Sequence, residues 1–110
     1  SLRSAMHVAA VQGQDKMVEA LAGAGAAVDA RDVDLRTPLA LAVMHGHLAC
    51  ARKLISLGAD AVATDAEDRN AFDYSLYVRG RKLRGKLRAL LARQQSAMLE
   101  AGLPMKGGID

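Results

Sequence analysis

A histidine–cysteine cluster is the first group of residues whose types could do chemistry. His45, His47 and Cys50 follow the spacing H-x-H-x-x-C, and imidazole nitrogen and thiolate sulfur are ligands that zinc prefers. A structural zinc site closes with four protein ligands, and the neighbouring sequence offers no evident fourth. The sequence therefore predicts no metal site, and we expect these side chains to have structural roles.

Two other patterns resemble cofactor or catalytic sites only in part. Residues 23–27 read Gly-Ala-Gly-Ala-Ala, like a fragment of a dinucleotide-binding loop, but that loop follows a strand and this segment follows a predicted helix. The serines lack a motif such as G-x-S-x-G that would expose a nucleophile. The sequence predicts no enzyme activity, no cofactor and no small-molecule substrate.

A run of seven basic side chains is the most prominent surface feature. No acidic residue interrupts it, and although the whole chain has a net charge of +3, the rest of the chain is net acidic. Three interpretations stay open: a solvated outer face of the last helix, a surface for an acidic protein partner, or a site for anionic membrane or nucleic acid. No aromatic residue lies within the run, which disfavours base stacking. The run consists of Arg79, Arg81, Lys82, Arg84, Lys86, Arg88 and Arg93.

The composition limits the class of protein. Hydrophobic residues make up 51% of the chain but aromatic residues only 3%, which suits thin layers of closely packed helices better than a compact sphere. This apolar content with a low net charge excludes a disordered chain. With Cys50 as the single cysteine, no intramolecular disulfide can form, and we expect an intracellular protein, cytoplasmic or nuclear.

A 33-residue repeat organises these residues. A shift of 33 aligns residues 2–9 with 35–42 and with 68–75. Thr37 is placed to cap a helix that begins at Pro38, and Gly46 is placed to end it. Leu21, Leu54 and Leu87 share one position, which predicts a continuous buried row. The pattern predicts helix pairs at 5–12 and 15–23, 38–45 and 48–57, and 71–78 and 81–101, an exposed connection at 59–69, and a flexible tail at 102–110.

The period and its motifs resemble the ankyrin-repeat family. Residues 37–42 resemble the Thr-Pro-Leu-His-x-Ala opening of that family, and residues 46–47 and 57–60 match later positions of its repeat. The resemblance implies an all-α solenoid of stacked helix-turn-helix pairs with short finger loops. It implies one ankyrin-repeat domain at 1–101, with repeats at about 1–31, 32–64 and 65–101 and a C-terminal capping helix.

The chain departs from the family pattern in its fingers and in its third repeat. Leu35 and Asp68 stand where the family has a glycine. Asp tolerates the left-handed backbone but Leu does not do so easily, so we expect the finger that contains Leu35 to be reshaped. Solenoids usually need three or more good repeats, and the third is degenerate here, so we expect one end of a longer protein, the C-terminal end.

The resemblance also implies a function, which is binding of another protein on a concave face made by the fingers and the first helix of each repeat. Tyr77 is the expected anchor, and Met44, Tyr77 and Val78 are expected to be uncovered. Two alternatives remain, an electrostatic adaptor that uses the basic run and a regulatory block that packs on a catalytic domain of the same chain. The predicted concave-face residues are Val33, Asp34, Arg36, Met44, His45, Glu67, Arg69 and Tyr77.

Overall fold

A computed structural model describes residues 4–100, with side chains described to residue 96. The described part of the chain contains the helices α1 (Ala5–Gln12), α2 (Asp15–Gly23), α3 (Pro38–Met44), α4 (Leu48–Ser56), α5 (Ala71–Ser75) and α6 (Arg81–Glu100), and no strand. The predicted helix bounds are confirmed to within one residue, except that α5 ends earlier than predicted. The end predicted for the last helix at 101 and the tail predicted at 102–110 lie outside the described residues.

The first helix of each pair begins at a polar cap. The side chains of Ser4, Thr37 and Asn70 each accept a hydrogen bond from the backbone N–H three residues later. Such bonds pair an N–H group that otherwise has no partner within its helix. Because these caps are spaced by 33 residues, the third pair begins in register with the other two even though its capping residue has changed.

The helices form two layers. α1, α3 and α5 pack side by side in the inner layer, and α4 packs between α2 and α6 in the outer layer. The core between them consists mainly of Ala, Leu and Val. Leu54 and Leu87 are fully buried as predicted, whereas Leu21 is only half-buried. Within the described residues, α2 has an outer-layer neighbour on one side alone.

The early end of α5 has a local cause. The Ser75 hydroxyl donates to the carbonyl of Phe72 within the same turn, a contact that competes with regular helical hydrogen bonds. The next three N–H groups, of Leu76, Tyr77 and Val78, bond three residues back instead of four, which tightens the chain into a turn. The prediction of a helix to residue 78 was wrong for this reason.

The predicted exposed connection at 59–69 is also wrong in part. Ala59, Ala61, Val62 and Asp65 are buried, and Ala59 and Ala61 belong to the hydrophobic core. Residues 66–68, at the finger tip, are the fully exposed part of this segment. Fingers and inner helices together form one side of the molecule, and this side carries the predicted binding residues.

Candidate partner-binding face

Each finger is built around one buried aspartate. In the first finger (residues 32–36), Asp32 Oδ1 accepts the backbone N–H groups of Asp34 and Arg36, both at 2.9 Å. Its Oδ2 accepts from Arg36 Nε at 3.0 Å. In the second finger (residues 65–69), Asp65 makes the same three contacts with Glu67 and Arg69 at the same distances. The carboxylate therefore sets the shape of both loops.

Leu35 adopts the left-handed backbone conformation, although Leu disfavours it. Its φ is 63°, equal to that of Asp68 at the same position of the second finger. The expectation of a reshaped finger is wrong, because the hydrogen bonds around Asp32 determine the turn whatever residue occupies the fourth position. The strain of about 1–2 kcal/mol expected for such a residue is offset by these bonds.

The two fingers lie side by side and are joined to each other. Arg31 Nη1 donates to the carbonyl of Thr64 at 2.9 Å, and the N–H of Ala66 donates to the carbonyl of Asp34 at 2.9 Å. The predicted binding residues Val33, Asp34 and Glu67 are exposed at the tips. They therefore lie on two fingers whose relative position is fixed by these hydrogen bonds.

Arg36 and Arg69 form ion pairs within their own fingers. Arg36 bonds Asp32 and also Asp34, with an Nη2–Oδ2 distance of 2.8 Å. Arg69 bonds Asp65 and Glu67 in the same way, and its Nη1 also donates to the Tyr77 hydroxyl at 3.1 Å. The second finger is thereby linked to the residue that follows α5.

Asp65 sits in an unusually rich set of donors. Burial alone would raise the pKa of Asp65, but hydrogen bonds from the Tyr74 hydroxyl, from two backbone N–H groups and from the Arg69 guanidinium outweigh it and lower the pKa to about 2. Burial and the neighbouring carboxylate raise the pKa of Tyr74 to about 12. The Asp65 bonds also raise the pKa of Arg69, so the carboxylate and the guanidinium stay charged together.

A shallow pocket opens beyond the fingers, between the ends of α3 and α5. Its volume is about 290 Å³, and Met44, His45 and Tyr77 are among the residues that line it. The Tyr77 side chain is 55% exposed, while Met44 is half-buried. Val78 was expected to be uncovered, but it is only 5% exposed and packs in the core. The structure thus brings three predicted residues together and connects them to Arg69 through Tyr77.

The basic run divides into two groups. Arg84 Nη1 donates to the carbonyl of Val78 at 3.2 Å, and Arg88 Nη1 donates to the carbonyl of Phe72 at 3.1 Å and to the Ser75 hydroxyl at 2.8 Å. Cations near the carbonyl end of a helix are stabilising, so these two arginines hold the end of α5. The remaining members of the run, Arg79, Arg81, Lys82, Lys86 and Arg93, are exposed.

Two of the histidines, His7 and His47, and the cysteine occupy structural positions. His7 Nε2 donates to the carbonyl of Arg36 at 2.7 Å, and His47 Nε2 donates to the carbonyl of Val11 at 2.8 Å, so each ties neighbouring repeats together. Cys50 is buried, and this burial together with the Asp15 carboxylate raises the pKa of its thiol to about 11. Among the described residues, no three metal-ligating side chains come together.

Sequence reasoning missed two functional arrangements. The first is the aspartate–arginine core of the fingers, although its signal, D-x-x-x-R at 32–36 and again at 65–69, is present in the sequence. The second is the contact of Arg84 and Arg88 with α5. No sequence signal could have shown it, because it depends on the early end of that helix.

A family comparison accounts for this architecture. The family described as "Ankyrin repeats (3 copies)" matches residues 2–65, which is more than half of the chain. The chain belongs to the ankyrin-repeat family. α5 and α6 follow the matched residues and continue the same stack, because α5 packs against α3 and α6 packs against α4.

A curated relative gives a similar result. The chain is 33% identical over 75 residues to a protein of Arabidopsis thaliana described as "Putative E3 ubiquitin-protein ligase XBAT31". The match covers 67% of this chain and 16% of that protein, so the chain spans a small part of its relative's length. None of the helices in residues 4–100 is long and apolar enough to cross a membrane.

Proposed function

We propose that this chain is a protein-interaction module that binds its partner on the concave face, at Arg36, Met44, His45, Arg69 and Tyr77. The observation that carries the proposal is the position of Tyr77. Its ring is exposed beside the pocket, packs near the ring of Tyr74 with centroids 5.8 Å apart, and is fixed at its hydroxyl by Arg69. An aromatic side chain that is held in place but open to solvent loses little entropy on binding.

The surrounding residues fit this role. Arg36 and Arg69 are held in one orientation by their ion pairs, and the fingers are bonded to one another. A preorganised surface spends less of its interaction energy on ordering. Ankyrin-repeat stacks are generally protein-binding modules, which supports the proposal for this chain.

The neighbouring residue Leu76 offers a matched control for the test. It is apolar and 64% exposed, but it does not line the pocket. Binders are selected from a displayed library of random peptides, and their affinities for variants are measured by calorimetry. Tyr77→Ala should weaken binding at least about tenfold, whereas Leu76→Ala should change it less than about twofold. Equal losses for both variants would contradict the proposal, as would a library that yields no binder.

A second candidate is electrostatic binding of a polyanion by the exposed members of the basic run. Lys82, Lys86 and Arg93 lie along α6 at spacings that place them on one side of the helix. Replacing these three by Gln leaves Arg84 and Arg88 to hold α5. If this variant abolishes partner binding and Tyr77→Ala does not, the electrostatic function is correct and the concave-face function is wrong.

A further inference from the structure

The acidic residues of the chain are absent from two long stretches. Residues 35–59 and residues 74–99 contain no Asp or Glu, although the chain has twelve of them. Seven of the twelve lie in α2 and in the fingers. The pocket beyond the fingers is lined by residues 44–46, 77–79 and 83, and all of these fall within the two acid-free stretches.

The pocket itself suits one apolar side chain. Met44, Val78 and Leu83 supply its apolar wall, and its volume of about 290 Å³ is at the lower limit of pockets that hold small ligands. It is also open to solvent along the concave face beside Tyr77. A side chain projecting from a partner segment can fill it without the partner entering the domain.

The rim of the pocket is positively charged. Arg79 lines it, and the exposed residues Arg81 and Lys82 lie in the sequence between Arg79 and Leu83, which also lines it. Arg81 and Lys82 are the first two residues of α6, a helix of 20 residues with no acidic side chain in its first turn. The partial positive charge at the start of a helix adds to theirs and favours a nearby carboxylate.

We propose that the partner segment recognised here is acidic, with an apolar side chain that enters the pocket and Asp or Glu residues beside it that pair with Arg79 and Arg81. This inference rests on the proposed function and names the chemistry of the partner. Rim charges of this kind contribute orientation and association rate as well as affinity.

The opposite end of the face argues for a short acidic segment over an extended polyanion. Asp34 and Glu67 are exposed at the finger tips, at 60% and 76% of their side-chain surface. A membrane surface or a nucleic-acid strand laid along the face would meet these like charges. A peptide can place its acidic residues at the basic end alone.

The test is a charge swap between the chain and the selected peptides. The displayed library should yield peptides that combine an apolar residue with neighbouring Asp or Glu. Arg79→Glu should weaken their binding at least about tenfold, and replacing the peptide acids by Lys should restore much of it. Lys86→Glu is the matched control, since Lys86 is exposed on α6 but does not line the pocket, and it should change affinity less than about threefold.

The outcomes separate this inference from the proposed function. A library that yields no binder overturns both. Peptides that depend on Tyr77 but are neutral or basic, or that lose equal affinity with Arg79→Glu and Lys86→Glu, overturn the acidic partner alone. Phosphatidylserine vesicles and single-stranded DNA serve as further probes, and tight Arg79-dependent binding of either one would overturn the choice of a protein segment.

Discussion

The two fingers have the same backbone and different surroundings. Both are closed by an aspartate that accepts two N–H groups and an arginine, and both hold their fourth residue at a φ of 63°. Asp65 additionally accepts from the Tyr74 hydroxyl, and Arg69 reaches Tyr77. The residue equivalent to Tyr74 in the middle repeat is Leu41, which has no hydroxyl to offer Asp32. A similarly placed carboxylate thus defines each loop, and Tyr74 and Tyr77 of the third repeat connect the second finger to the surface that we propose binds a partner.

Removing the carboxylates should have the largest effect on the free energy of unfolding, and the size of the effect should differ between the two fingers. We expect Asp65→Ala to lower the free energy of unfolding by about 3 kcal/mol and Asp32→Ala by about 2 kcal/mol. The difference arises because the loss of the Asp65 carboxylate also leaves the buried Tyr74 hydroxyl without its acceptor. Urea unfolding followed by circular dichroism measures both. The exposed Asp34→Ala serves as control and should cost less than about 0.5 kcal/mol. A larger loss for Asp32→Ala than for Asp65→Ala would contradict this prediction.

Lowering the pH should reduce the stability that the second finger contributes to the fold, because Asp65 becomes protonated. A carboxyl group whose pKa is lowered on folding stabilises the fold above its unfolded pKa, and this contribution is lost as the pH falls through the folded pKa. For Asp65 that window runs from about 3.8 down to about 2, and we expect a loss of about 2 kcal/mol across it. The pKa of Asp32 is also lowered, by hydrogen bonds from Arg36 and Asp34 that outweigh its burial.

Neutral variants isolate the two contributions. Asp29, whose pKa is raised by burial, contributes with the opposite sign, but it cancels when variants are compared with the parent chain. Unfolding free energies at pH 5 and pH 2.5 should therefore show that Asp65→Asn removes more of the acid sensitivity than Asp32→Asn. If the unfolding free energies of the two variants changed equally between these pH values, the contact of Asp65 with Tyr74 would have no electrostatic effect.

The Tyr74 hydroxyl should have a smaller effect that is confined to the second finger. Tyr74→Phe removes one buried hydrogen bond to a carboxylate and should cost about 1.5 kcal/mol. Tyr77→Phe removes only the solvent-exposed bond to Arg69 and should cost less than about 0.5 kcal/mol. The comparison is made by thermal or urea unfolding at neutral pH. Indistinguishable costs would mean that the ring packing of Tyr74, and not its hydroxyl, supports the finger.

The smallest predicted effect is a gain in stability at the fourth finger position. Leu35→Gly relieves the left-handed strain of a branched side chain but adds freedom to the unfolded chain, so we expect a net gain of about 0.5 kcal/mol. Asp68→Gly should be close to neutral, because Asp tolerates this conformation better than Leu. A destabilised Leu35→Gly chain would show that the Leu35 side chain makes a contact worth more than its strain.

Repeat register was predictable from the sequence, and contacts between distant polar groups were not. The spacing of Thr37, Gly46 and Leu54 predicted the helix pairs and their buried face because period and capping are local properties. The burial of Val78 depends on α5 ending at Ser75, and the roles of Arg84 and Arg88 depend on the carbonyl groups that this early end exposes. Leu35 shows the same limit, since its conformation follows from hydrogen bonds made by Asp32.

The candidate site was predictable to a similar degree. The repeat pattern predicted that Met44, His45 and Tyr77 lie on one surface. In the structure all three line one pocket. The sequence did not indicate that Arg69 holds the Tyr77 hydroxyl, because that bond joins a finger to a turn whose shape is irregular in the third repeat. The positive charge at the rim of the pocket was visible in the sequence, because no acidic residue interrupts the basic run that begins at Arg79.

Mapping the footprint of a bound peptide tests most directly the claim that the concave face is the binding surface. Amide chemical shifts of the isotope-labelled chain are recorded while a selected peptide is added. We expect the largest changes at Met44, His45, Tyr77 and Arg79, with smaller changes at the finger arginines Arg36 and Arg69. Changes confined to Lys86 and Arg93, which lie on α6 away from the pocket lining, would contradict this prediction.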